Sequence, residues 1–201
     1  MSFHNNNINF YQSNLINLSI KNNLNQIDYT YRTDILNCVI HIIRNDIFFN
    51  ELNQLNILDI GCKEGFIGEK IKKNNIIGVV HGIETSLQKM EKAIQKDCYH
   101  RIFNLNIYEN NFTPDRKYNL ILISELFIEK NFSLNVIDLL SPHLKIKGLI
   151  IINISEEYKD KNISDFNEFI INNSNLVLIS NTKLNYTNST KHLRIILKKL
   201  I

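Results

Sequence analysis

Glycine is scarce in this 201-residue chain, and three of its six glycines, Gly61, Gly65 and Gly68, fall within eight residues. They lie in NILDIGCKEGFIG (56–68), where an apolar run enters a glycine-spaced turn. Such a turn lets backbone approach a ligand closely, and a helix starting just after it offers free N–H groups to a carboxylate or phosphate. Glu84 follows the next apolar run, 23 residues beyond Gly61, a separation suited to a side chain that bridges ribose hydroxyls. Asn106 follows a third run and Ser124-Glu125 a fourth. Four polar groups at successive run ends point to a nucleotide-type cofactor. A dinucleotide fingerprint is not met, because Lys63 stands where G-x-G-x-x-G needs its second glycine.

The elements that must position these groups follow from apolar spacing. Three-to-four periodicity predicts a helix over 33–49, after a polar arm over residues 1–28. Strands are expected over 55–60, 77–83, 101–105, 118–124, 149–154, 176–180 and 193–197. Helices are expected over 65–73, 86–96 (with Ser86 as N-cap), 132–140 and 164–171. Leu120–Ile123 and Leu149–Ile152 are apolar at every position, as strands buried on both faces are. The last two strands are too closely joined for a crossover helix and should be antiparallel. The expected fold is therefore α/β: a doubly wound, mostly parallel seven-stranded sheet with a C-terminal antiparallel hairpin and helices on both faces. We read residues 1–201 as one domain, an N-terminal arm over 1–50 and a core over 51–201. In such sheets ligands bind beyond the carboxyl ends of the strands, where Gly61, Glu84, Asn106 and Ser124 are predicted.

Taken in order, these segments resemble the class I S-adenosylmethionine-dependent methyltransferases. ILDIGCKEGFIG is similar to the family's first motif, VHGIETS to its second, YNLILISELF to its fourth-strand motif, and LSPHLKIKGLIIIN to its LKPGG turn and fifth strand. FNLNIYENNF stands where an adenine-contacting Asp segment usually lies. The resemblance implies S-adenosyl-L-methionine as cofactor. It implies that Asp59, Gly61, Cys62 and Gly65 form the methionyl loop, with Glu84 and Thr85 at the ribose. Asn106 and Ile107 would lie at the adenine, Ser124 near the sulfonium, and Arg32 at the cofactor carboxylate. The chain departs from the pattern at Lys63 (usually Gly), Asn106 and Asn119 (usually Asp), and Ile146-Lys147 (usually Pro-Gly). Of these, Asn119 and Ile146-Lys147 lie at the amino ends of strands, away from the site, while Lys63 falls inside the cofactor loop.

Methyl transfer needs alignment and often a base. Strand topology puts His100 and His143 at the far edge of the sheet and makes His81 a packed residue. Glu125 and His192 are the catalytic candidates, with Glu156 and Glu157 behind them. No Asn/Asp-Pro-Pro-aromatic box, no Pro-Cys pair and no metal-ligating Glu/His set is present, so no metal is expected. SELF and the terminal HLRIIL are similar to the NodS-like small-molecule methyltransferases. The expected reaction is methylation of O or N on a small molecule. The alternatives are an RNA or protein methyltransferase, or a non-catalytic scaffold of the same fold.

Composition sets the outer bounds. Asn and Ile make up a third of the chain and Ala93 is its one alanine, a skew that fits A/T-rich coding. A net charge of +3 without long basic runs argues against a nucleic-acid partner. Three cysteines without metal-type spacing suit a reduced, cytoplasmic protein. No apolar run approaches a membrane span, and the expected state is a monomer or homodimer.

Overall fold

The structure, a computed structural model, describes residues 37–45, 54–109, 112–123, 134–155, 168–169, 172–173, 175–185 and 191–201. Strands β1 (Leu55–Ile60), β2 (Gly78–Ile83), β3 (Arg101–Phe103), β4 (Tyr118–Ile123), β5 (Leu144–Ser155), β6 (Leu176–Asn185) and β7 (Lys191–Lys199) form one sheet in the order β3-β2-β1-β4-β5-β7-β6. Strands β1 to β5 pair in parallel, and β7 lies antiparallel to both β5 and β6, so it alone runs against the other six. The chain winds outward from β1 to β3 and then returns to β4 on β1's other side. That reversal makes the β1/β4 border the switch point.

Helices cover both faces because the central strands are apolar in both directions. One face joins Leu58, Ile60, Ile121, Ile123, Ile150 and Ile152 to Val136, Ile137 and Leu140 of α4 (Asn135–Leu140). The other joins Ile57, Leu120, Leu122 and Ile151 to Val39 and Ile42 of α1 (37–45) and to Ile67 and Ile71 of α2 (Phe66–Lys73). Helix α3 (Leu87–Gln95) follows β2, and Ser86 Oγ caps it by accepting from Lys89 N. Emptying any of Leu120, Ile121, Leu122 and Ile123 to alanine removes roughly 2–5 kcal/mol. Among the described residues no helix is long and apolar enough to cross a membrane. All three cysteines are buried free thiols.

Boundaries differ from expectation in three places. Strand β5 begins at Leu144 rather than Leu149, because a bulge carries the chain across the intervening residues. Tyr118 pairs with Leu144, yet Leu120 pairs with Leu149, so β5 advances five residues while β4 advances two. Lys147 turns through a left-handed φ of 65° inside the bulge. Strands β6 and β7 run longer than expected, since their Asn- and Thr-rich stretch keeps pairing as far as Asn185 with Lys191. Strand β3 stops at Phe103, two residues short of its expected end. The arm over residues 1–28 and most of the helix predicted over 164–171 lie outside the described residues.

A left-handed lysine carries about 1–2 kcal/mol of strain, partly offset because glycine loses more chain entropy. Lys147→Gly should therefore raise stability by about 0.5–1 kcal/mol, read as a higher urea midpoint at unchanged m-value.

Candidate functional site

At the carboxyl end of β1 the chain adopts left-handed conformations at every second residue: Gly61 (φ 72°), Lys63 (φ 47°) and Gly65 (φ 80°). Gly61 N and Cys62 N both donate to Ile83 O, at 2.9 and 3.0 Å, which ties the turn to the end of β2. Gly65 N donates to Cys62 O and closes the turn as α2 begins. Position 63 thus has the backbone geometry of a glycine while carrying a lysine.

That lysine contributes through its backbone. Lys63 N donates to Glu84 Oε2 at 2.9 Å, and Ser86 N donates to Glu84 Oε1 at 2.9 Å. The buried Glu84 carboxylate therefore ties the β1 turn to the start of α3. Each carboxylate oxygen has a second acceptor site for a further donor. Beside it, Asn104 Nδ2 donates to Glu84 O and Thr85 O, and the Thr85 side chain is exposed.

Beneath the turn lies a second acid. Asp59 is fully buried, and its Oδ2 accepts from Tyr99 Oη at 2.7 Å. Tyr99 Oη in turn accepts from Gly68 N at 3.1 Å. Burial pushes the Asp59 carboxyl up to about 7, against the hydrogen bond from Tyr99 and with the nearby Glu84 charge. Asp59 Oδ1 is buried without a hydrogen-bond partner. Tyr99 carried no motif in the sequence, and its signal was indirect. A Cβ on Gly68 would sit 2.5 Å from the Tyr99 ring, and one on Gly65 or Gly82 would sit 3.2 Å from it. The same added Cβ on Gly65 would meet the Cβ of Ala93, the chain's one alanine, at 3.0 Å. The glycine spacing thus seats a tyrosine as well as shaping a ligand loop.

Other expected site residues fall as follows. Cys62 points inward, since a Cβ on Gly82 would meet its Sγ at 2.7 Å, and burial pushes its thiol far up. Only its backbone can meet a ligand. Asn106 follows β3 in a local turn, accepting from Tyr108 N at 3.1 Å and donating to Glu109 Oε1 at 2.7 Å. Ile107 packs in the core with Ile83 and Phe112. His192 pairs through its backbone with Ser155 at the end of β5, on the edge where the turn lies. Arg32, Ser124, Glu125, Glu156 and Glu157 lie outside the described residues.

The other histidines sit where strand topology put them. His81 is buried, with Nδ1 2.9 Å from Tyr118 Oη, and desolvation lowers its pKa. His100 precedes β3 and accepts from Val80 N, while His143 packs its ring against Phe112 ahead of β5. Asn119, at the amino end of β4, accepts from Asn56 N at 2.9 Å, so this departure bears on strand register and lies away from the turn.

Two measurements check this geometry. A carboxyl whose folded pKa is raised to about 7 stabilises fully only below its unfolded value near 4. Stability should fall between about pH 4 and pH 7 and then level off, and Asp59→Asn should flatten that slope in urea titrations. Lys63→Gly keeps the N–H that bonds Glu84, so it should raise stability by about 0.5–1 kcal/mol. A loss would show that the lysine side chain holds the turn.

No protein-family model and no curated protein sequence matches the chain. Solved structures do. The plantazolicin methyltransferase BpumL, in complex with a triazolic desmethylPZN analog and SAH, superposes at TM-score 0.66 and 14% identity, over 99% of this chain and 93% of its own. Magnesium protoporphyrin IX methyltransferase (ChlM) from Synechocystis PCC 6803, with bound SAM, gives 0.63 and 12% over 98% and 93%. An rRNA methylase from Streptococcus thermophilus gives 0.55 and 12% over 74% and 89%. The strand order, the antiparallel β7 and these superpositions show that the chain has the fold of the class I S-adenosylmethionine-dependent methyltransferases.

Proposed function

We propose that this chain is an S-adenosylmethionine-dependent methyltransferase acting on O or N of a small molecule. The observation that carries the reading is the Glu84 carboxylate at the end of β2, bonded to Lys63 N of the β1 turn and to Ser86 N. An acid tied to a left-handed turn beside the switch point fits a ligand with a vicinal diol next to a charged chain. The acceptor sites remaining on Glu84 suit the ribose hydroxyls. The turn at Gly61, Cys62 and Gly65 would hold the methionyl part, with Asp59 beneath it and Arg32 at the carboxylate. Thr85, Asn106 and Ile107 would border the ribose and adenine, and Ser124 the sulfonium.

S-adenosylmethionine, when bound, supplies a methyl carbon attached to a positively charged sulfur. The chain's task is to align an acceptor lone pair with that carbon opposite the C–S bond, whose electrons return to sulfur. Glu125 or His192 would take the acceptor's proton. Small acceptors are favoured by the modest net charge of +3. The three buried free thiols suit a reducing, cytoplasmic setting.

Calorimetry with S-adenosylhomocysteine tests the reading. Wild type should bind it, and Glu84→Ala should weaken binding about 10–100-fold, the loss expected for charge-assisted hydrogen bonds. Glu84→Gln, which keeps the shape and one acceptor oxygen, should fall between. Absent binding by the wild type, or equal binding by all three proteins, would refute it.

A further inference from the structure

The sheet carries a second polar feature near the turn. Register aligns Ile60 of β1 with Ile123 of β4, Ile123 with Ile152 of β5, and Ile152 with Ile195 of β7. One residue beyond that row, level with Gly61, stand Asn153 and its pairing partner Arg194. Both face α1, on the side of the sheet that holds Ile151 and Ile196. Arg194 is only 4% exposed and Asn153 only 1%. Arg194 Nε donates to Asn153 Oδ1 at 3.3 Å, which leaves Arg194 Nη2 and Asn153 Nδ2 buried with no hydrogen-bond partner. Cys38 of α1 closes the group. Burial raises its thiol pKa, while the Arg194 charge and a hydrogen bond from it act in the opposite sense.

A guanidinium this deeply buried calls for a counter-charge, because an unpaired buried cation is strongly unfavourable. None of the ion pairs among the described residues includes Arg194. The two unmatched atoms are both donors, and they come from paired residues of adjacent strands. Donors so placed match the two oxygens of one planar carboxylate.

We propose that Arg194 and Asn153 form a subsite for a carboxylate on the methyl acceptor. The proposal rests on the methyltransferase reading and narrows its substrate to an acidic small molecule. Strand β7 lies two strand spacings from β4, about 10 Å. The carboxylate therefore belongs about that far across the sheet from the atom that receives the methyl group. A polynucleotide phosphate, confined to an exposed backbone, does not suit a site this enclosed.

Suitable probes are 3-(4-hydroxyphenyl)propanoate and 8-hydroxyoctanoate, each compared with its carboxamide by calorimetry on the full chain, with and without S-adenosylhomocysteine. At least one carboxylate should bind wild type tenfold or more tightly than its carboxamide. Arg194→Met should erase that preference and leave S-adenosylhomocysteine affinity unchanged, while Arg194→Lys should keep part of it. Thermal unfolding without ligand provides a second readout. Arg194→Met should match or exceed the wild-type midpoint, because the arginine serves a ligand; a lower midpoint would mark a structural arginine and overturn the proposal. So would wild type that does not prefer either carboxylate, or a preference that survives in Arg194→Met. A carboxylate preference without S-adenosylhomocysteine binding would uphold the subsite and refute the cofactor reading alone.

Discussion

The hydrogen bond from Tyr99 to Asp59 is the contact on which the rest of the site depends. Asp59 is fully buried in the strand that leads into the turn, and without Tyr99 neither of its oxygens would have a partner. A buried carboxyl in that state is strongly unfavourable. The same hydroxyl takes the Gly68 N–H, so one side chain joins the last turn of β1 to the first turn of α2. Glu84 completes the arrangement from the side by drawing together the backbone of Lys63 and Ser86. Two acids therefore fix one loop, one from below and one from its flank.

Because β1, β4, β5 and β7 are in continuous register, fixing the end of β1 also fixes the height of what stands across the sheet. Gly61 at one end of this row and Arg194 at the other are set by the same ladder, although they lie on strands far apart in sequence. The β5 bulge at 145–148 absorbs its extra residues at the amino end of the strands, so this row keeps its level.

Much of this was legible in the sequence. The full-length apolar runs predicted a parallel sheet buried on both sides, and the strand over 55–60 and the Ser86 cap stand where spacing placed them. Strand ends also put Glu84 beside the glycine turn. What was not legible depended on contacts between distant segments. Tyr99 belongs to no periodic pattern, and its role appears only when three glycines from two segments, Gly65 and Gly68 of the turn and Gly82 of β2, surround its ring. Arg194 reads as an ordinary cation in a terminal strand, because nothing local says that β7 would be inserted between β5 and β6. The early start of β5 was hidden for a similar reason, since a bulge interrupts the alternation that marks a strand.

The glycines that remain reveal what a compositional drift can and cannot erase. Among the described residues, the non-glycine residues with left-handed backbones are Lys63, Asn75, Asp97 and Lys147, all polar types. At Gly65, Gly68, Gly78, Gly82 and Gly148, an added Cβ would come within 3.0 Å of another atom. A drift toward A/T-rich codons can replace glycine where only a backbone angle is at stake, because that strain is about 1–2 kcal/mol. It cannot do so where a side chain has no room. In a chain of this composition, five of the six glycines mark collisions avoided, and the outline of a cofactor turn has to be sought in the sign of φ as well as in the letters of a motif.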